Sequence, residues 1–230
     1  MEQKQFWISF VEGRISVPEM LILTKEDPAL LDWLTAIADP KFKTYTIQKE
    51  TDEDFYSTYT PIEHPFDAGL QIQVYVYEGQ GASSKLGRYL NIHGYFSRVL
   101  TTAFPDEGIV VDQTLQEKSM FMLDACPEYI GGPEVDHLLD ELLEELPKGL
   151  SKTKRAKLYK ETVKARFHVT GKQYPRWVQG AEWPMAPSGK PMRFVEQKRK
   201  KGKEYEMTLY TQFVFEDMDT GETRIVEQFT

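Results

Sequence analysis

Val135, Leu138, Leu139, Leu142, Leu143 and Leu146 recur at i, i+3, i+4, i+7, i+8 and i+11, the spacing of one face of an α-helix. Leaving that face in water forfeits about 1.5–3 kcal/mol per buried leucine, so the helix needs a surface to pack on. Gly131-Gly132-Pro133 opens the segment, and Pro147 and Gly149 close it. Elsewhere the period changes. Leu70, Ile72, Val74 and Val76 alternate with Gln71, Gln73, Tyr75 and Tyr77, which is a strand with one face in the core. A chain carrying both periods in separate stretches packs as α+β. We expect a mixed or mostly antiparallel sheet with packed helices, in two subdomains.

The remaining elements follow from the same two periods and their punctuation. Phe6, Ile8 and Phe10 alternate with Trp7 and Val11, so Gln5–Val11 is expected as a buried strand. Asp27-Pro28 caps a helix carrying Leu30, Leu31, Leu34, Ile37 and Ala38 and stopping at Asp39-Pro40. Lys43–Gln48 reads as a short strand and Thr51–Pro65 as a polar, acidic and aromatic loop. Ser83 or Ser84 caps a helix whose inner face is Leu86, Tyr89, Leu90, His93, Phe96 and Leu100. Ile109–Gln113 and Met120–Leu123 read as short strands. A basic helix runs from about Ser151 to Phe167, with Ala156, Tyr159, Val163 and Phe167 inward. Met192–Gln197, Tyr205–Phe215 and Thr223–Phe229 are strand-like, with Asp217–Gly221 as a hairpin turn. The composition shift near Gly131–Gly149 places the expected division between 1–131 and 132–230.

Composition removes several classes. The 230 residues contain one cysteine, Cys126, so no disulfide closes within the chain and a reducing compartment is expected. The first residues lack the basic-then-apolar pattern of a signal peptide, and no apolar run nears the ~20 residues of a membrane span. A cytoplasmic protein is the expectation. The net charge of −8 argues against a basic nucleic-acid binder. It is unevenly distributed: residues 1–147 hold 10 basic and 26 acidic side chains, residues 148–230 hold 18 and 10. Such asymmetry acts through steering and partner choice, unless the two parts offset one another internally.

Catalytic chemistry has few candidates. His64 lies three residues from Asp67 and is a conceivable general base. His93 sits on an apolar helix face, where a hydrogen-bonded core histidine is the expectation. His137 is expected at the surface, and His168 at the end of the basic helix, where a cation suits the dipole. Cys126, before Pro127, reads as a small buried hydrophobe rather than a nucleophile. No Cys-x-x-Cys or His-Glu-x-x-His is present, so no metal is expected. No Gly-x-Ser-x-Gly elbow occurs either.

One turn has the shape of an anion site. The strand Leu70–Tyr77 runs into Glu78-Gly79-Gln80-Gly81-Ala82-Ser83-Ser84 ahead of a helix. Backbone N–H groups and the helix dipole favour a phosphate at such a junction. Gly79, Gly81, Ser83 and Ser84 are the candidate residues. The segment lacks the third glycine of a dinucleotide fingerprint. It resembles the coenzyme-A pyrophosphate loop of GNAT-type acyltransferases, with Val76 where those have a basic residue or glutamine. The other reading is a glycine-rich connection without a ligand, and no cofactor is expected.

The last quarter carries a second resemblance. Pro175-Arg-Trp177-Val-Gln179-Gly-Ala-Glu-Trp183-Pro184, followed by Gly189-Lys-Pro191-Met-Arg-Phe194-Val-Glu-Gln197, resembles the Trp-Pro…Gly-x-Pro signature of the YwqG-like bacterial family. That resemblance implies a cytoplasmic β-rich protein of immunity type, one that neutralises a toxin by binding it. On physical grounds Trp177 and Trp183 are aromatic plugs anchoring a loop to the sheet, and Gln179 and Gln197 satisfy backbone groups in the same corner. Lys198–Lys203 is expected as an exposed, solvated hairpin tip.

These readings converge on a non-enzymatic binding protein with a basic protein partner, a toxin or effector domain, and with neither membrane nor nucleic acid. Carboxylates and rings interleave at Asp52, Glu53, Asp54, Phe55, Tyr56 and Tyr59, the composition of an interface hot spot. The alternative is a GNAT-like acyltransferase or nucleotide-binding enzyme using the Gly79–Ser84 turn. A third is a structural subunit or adaptor that uses the acidic 134–146 helix.

Overall fold

A computed structural model describes residues 2–38, 45–49, 59–63, 82–201 and 209–229. Among them are seven helices and five strands: α1 (Gln3–Val11), α2 (Val17–Glu26), α3 (Ala29–Ile37), β1 (Tyr45–Lys49), β2 (Tyr59–Glu63), α4 (Lys85–Ala103), α5 (Thr114–Ala125), α6 (Asp136–Glu144), α7 (Lys152–Arg166), β3 (Arg193–Lys201), β4 (Leu209–Glu216) and β5 (Thr223–Phe229). The fold is α+β. β1 and β2 form one antiparallel pair, and β3-β4-β5 a three-stranded antiparallel sheet. Packing groups the chain into two compact units, Met1–Ala82 with Arg88–Leu115, and Ser83–Gly87 with Gln116–Thr230. The strand expected at Leu70–Tyr77 lies outside the described residues, and β2 occupies part of the segment read as a loop, Thr51–Pro65.

In the first unit the expected strand Gln5–Val11 is instead helical. Phe6 and Phe10, and Trp7 and Val11, are i, i+4 pairs, and all four are buried. Alternation over seven mostly apolar residues fits either period, and the core decides in favour of the helix. Trp7 stacks edge-on against Phe6 and Phe10 and donates from Nε1 to the Leu30 carbonyl at 3.0 Å. Ser16 caps α2 by accepting from Glu19 N, and Asp27 accepts from Ala29 N ahead of α3. Met20, Leu34, Ile92, Phe96 and Leu100 complete this core. Ile109–Gln113 is not a strand. Its Asp112 N–H bonds the Val11 carbonyl, and the Asp112 carboxylate caps α5 through Thr114. Met120–Leu123 falls inside α5, where Phe121 and Ala125 share the buried face.

The second unit packs the leucine face of α6 on α7. Val135, Leu138, Leu139, Leu142, Leu143 and Leu146 are all buried, as are Tyr159, Val163 and Phe167. The Tyr159 hydroxyl donates to the Leu139 carbonyl at 3.0 Å and ties the two helices together. In β4, Thr211, Phe213, Phe215 and the following Asp217 point inward, and Gln212, Val214 and Glu216 outward. Asp217 accepts from Asp219 N and Thr220 Oγ1, and Gly221 at φ +74 completes the turn into β5. Lys198–Lys201 are not a hairpin tip. They pair with Leu209–Gln212 as the end of β3.

Candidate functional site

Of the residues expected to meet a partner, Asp52, Glu53, Asp54, Phe55 and Tyr56 lie outside the described residues. Tyr59 begins β2, with its backbone opposite Lys49. Gly79, Gly81 and His64 also lie outside.

Ser83 and Ser84 are described, and both are engaged. Ser84 Oγ accepts from Gly87 N at 3.0 Å, as the helix cap expected there. Ser83 Oγ donates to the Asp136 carboxylate. Asp140, 6% exposed, accepts from Leu86 N at 2.6 Å. One N–H of the first turn of α4, that of Leu86, therefore already has a carboxylate of the chain as its acceptor. Asp136 and Asp140 present like charge to any phosphate approaching these N–H groups. Leu86 N–H is an orphan donor of the helix terminus, and Asp140 satisfies both its hydrogen bond and the dipole.

The other reactive groups hold the fold. His93 is buried and bonds the Val11 carbonyl through Nε2 at 3.0 Å, as expected. Cys126 is partly buried with Sγ directed at the Ile130 carbonyl, and desolvation, reinforced by Asp136, pushes its thiol up to about 12. A thiol held that high is a poor nucleophile. Burial likewise raises the Tyr159 phenol. His137 and His168 are exposed, and His168 follows α7 with φ +54, past the helix end rather than in its last turn. Among the described residues no group of three or more His, Cys, Asp or Glu is placed to hold a metal.

The residues behind the second resemblance meet in one corner of the sheet. Trp183 is 1% exposed, donates to the Met192 carbonyl at 2.8 Å, and lies edge-on to Phe167 and Phe215. Trp177 donates to the Tyr129 carbonyl and lies over Phe213. Gln197 Oε1 accepts from Arg176 N, and Gln179 Nε2 donates to the Phe229 carbonyl. The residue that binds the corner most tightly was not anticipated. Gln228, fully buried, accepts from Val178 N and Gln179 N at 2.9 Å each and donates to the Gly180 carbonyl at 2.7 Å. A glutamine at alternate register in a strand looks like an outward position, and only the loop packed against it reveals its role.

Beside this corner runs a groove of about 390 Å³, lined by Gly132, Pro133, Glu134, Glu182, Trp183 and residues 224–227 of β5. Arg224 makes a two-pronged ion pair with Glu134, at 2.8 and 2.5 Å, and Met185 N donates to the same carboxylate. The guanidinium holds the Glu134 carboxyl below its ordinary value, and Arg224 is raised in return. Gly132 has φ +118, and a Cβ there would stand 2.8 Å from the Ala181 carbonyl oxygen. Ninety positions separate Glu134 from Arg224, so no local pattern could have paired them.

Comparison of the chain with protein-family models, characterised proteins and solved structures finds no match.

Proposed function

We propose that the chain is a cytoplasmic, non-enzymatic binding protein of immunity type, which occupies a cationic toxin or effector domain. The observation that carries the reading is where the negative charge resides once residues are grouped by packing. The first unit holds 8 basic and 17 acidic residues, a net of −9, more than the whole chain's −8. The acidic run of α6 belongs to the other unit, which holds 20 basic and 19 acidic residues and is nearly balanced, with Glu144 paired to Lys118. Acid excess therefore stays with the unit that contains Asp52–Tyr59, the proposed partner surface. A field of that sign speeds encounter with a basic partner and discriminates against acidic ones.

Two further facts support the reading. His93, Cys126, Tyr159 and Asp140 are each committed to a backbone group of the fold. The residues of the YwqG-like resemblance form one hydrogen-bonded aromatic corner, which leaves Trp177 and Trp183 in structural roles. The test is a pull-down and titration against the purified product of the neighbouring open reading frame. Salt-sensitive association is expected. Absence of binding, or binding indifferent to salt, overturns the proposal.

A further inference from the structure

We infer that the open edge of β5 is a docking site for an extended, lysine- or arginine-bearing segment of a partner protein, which adds to the sheet as a fourth strand. β5 is hydrogen-bonded to β4 on one side. Among the described residues, the main chain of Arg224–Glu227 makes no hydrogen bond other than to β4. Unpaired N–H and C=O groups in a row are a template for another strand. The C-terminal end of β5 is different, because the Phe229 carbonyl already accepts from Gln179. The free stretch is therefore short, four residues at about 3.4 Å each, and it coincides with the β5 residues that line the groove.

Charge selects the occupant. The rim carries Glu134, Glu182 and Glu227 against Arg224. Arg224 is neutralised by Glu134; among the described residues Glu227 accepts from the neutral Gln212 amide and makes no ion pair, and Glu182 is exposed. Glu227 of β5 and Glu182 are thus two rim carboxylates that a cationic side chain of a guest strand could pair with. Ile225, 53% exposed, and Phe229, 52% exposed, share the outward face with Glu227 and offer apolar neighbours to alternate side chains of the guest. A second copy of this chain fits poorly. Antiparallel self-pairing through the same edge sets one carboxylate-rich rim against another.

In its charge argument the inference rests on the cationic-partner reading, but its test does not need that partner. The probe is a short capped peptide of lysine, valine and threonine, used with the intact chain. Its controls are the glutamate-for-lysine counterpart and a version N-methylated at alternate backbone amides. Hydrogen exchange should slow across residues 223–229 with the lysine peptide alone, and E182K/E227K should weaken it about tenfold. The site is overturned if the lysine peptide gives no protection, if the glutamate or N-methylated peptide protects equally, or if β5 is already protected in a concentration-dependent dimer. A cationic protein that binds the chain yet leaves 223–229 unprotected keeps the proposed function and discards this site. Peptide protection in a chain that ignores cationic proteins does the reverse.

Discussion

Replacing Gln228 isolates the bonds that hold the Trp177–Trp183 corner. Its amide satisfies three backbone groups, those of Val178, Gln179 and Gly180, from a position with no solvent exposure. At about 1 kcal/mol net per hydrogen bond, full loss sums to about 3 kcal/mol. Gln179 and Gly180 are exposed and can rebond to water, whereas Val178 is half-buried. Q228A should therefore cost about 2 kcal/mol, between one bond and three, and lower Tm by about 4–8 °C in a chain of this size. Q228M keeps most of the volume and removes the polar groups, so it should cost nearly as much. Q212A, on the outward face with its amide on Glu227, should stay within about 0.5 kcal/mol of the parent. Urea unfolding followed by tryptophan fluorescence reads all three. A Q228M variant as stable as the parent would refute the argument, since volume rather than hydrogen bonding would then hold the corner.

Other outcomes follow from single positions. G132A should lose about 2 kcal/mol or more, since φ +118 and the Ala181 carbonyl both oppose a Cβ. G94A, mid-helix with open space around it, should gain about 0.5–1 kcal/mol, and parallel melts compare the two. The Glu134 carboxyl is depressed below its ordinary 4.5 by Arg224. Its contribution is therefore complete above that value and is lost as pH falls through the depressed one. The pair is about half exposed, which limits the contribution to under about 1 kcal/mol, and E134Q should flatten the acid limb of a stability–pH curve by that amount. Acetyl-CoA, NAD and ATP should leave Tm unchanged, because Asp140 already occupies the Leu86 N–H. A rise with any of them would favour the Gly79–Ser84 turn as a ligand site.

The sequence was most readable where a period ran long enough to exclude its rival. Six leucine-type positions over twelve residues specify α6, and the inward Phe213 and Phe215 mark β4. It misled where the run was short. Gln5–Val11 fits a strand and a helix alike, and only Trp7 reaching Leu30 and Phe96 settles it. Ser84 was legible as a cap because capping is local. Asp140, Gln228 and the Glu134–Arg224 pair were not, since each acts on a partner 48 or more positions away, brought near only by packing. The charge switch between α6 and α7 also changes meaning. It separates two helices packed within one unit, not two oppositely charged domains.

The most direct measurement is the affinity for the purified neighbouring-gene product at low and physiological salt. Raising ionic strength from about 0.01 M to about 0.15 M shortens the Debye length from about 30 Å to about 8 Å. Recognition through the acid excess of the first unit predicts a steep fall in association rate and a weaker complex over that range. An affinity unmoved by salt, or turnover of the partner into a covalently altered product, would contradict it.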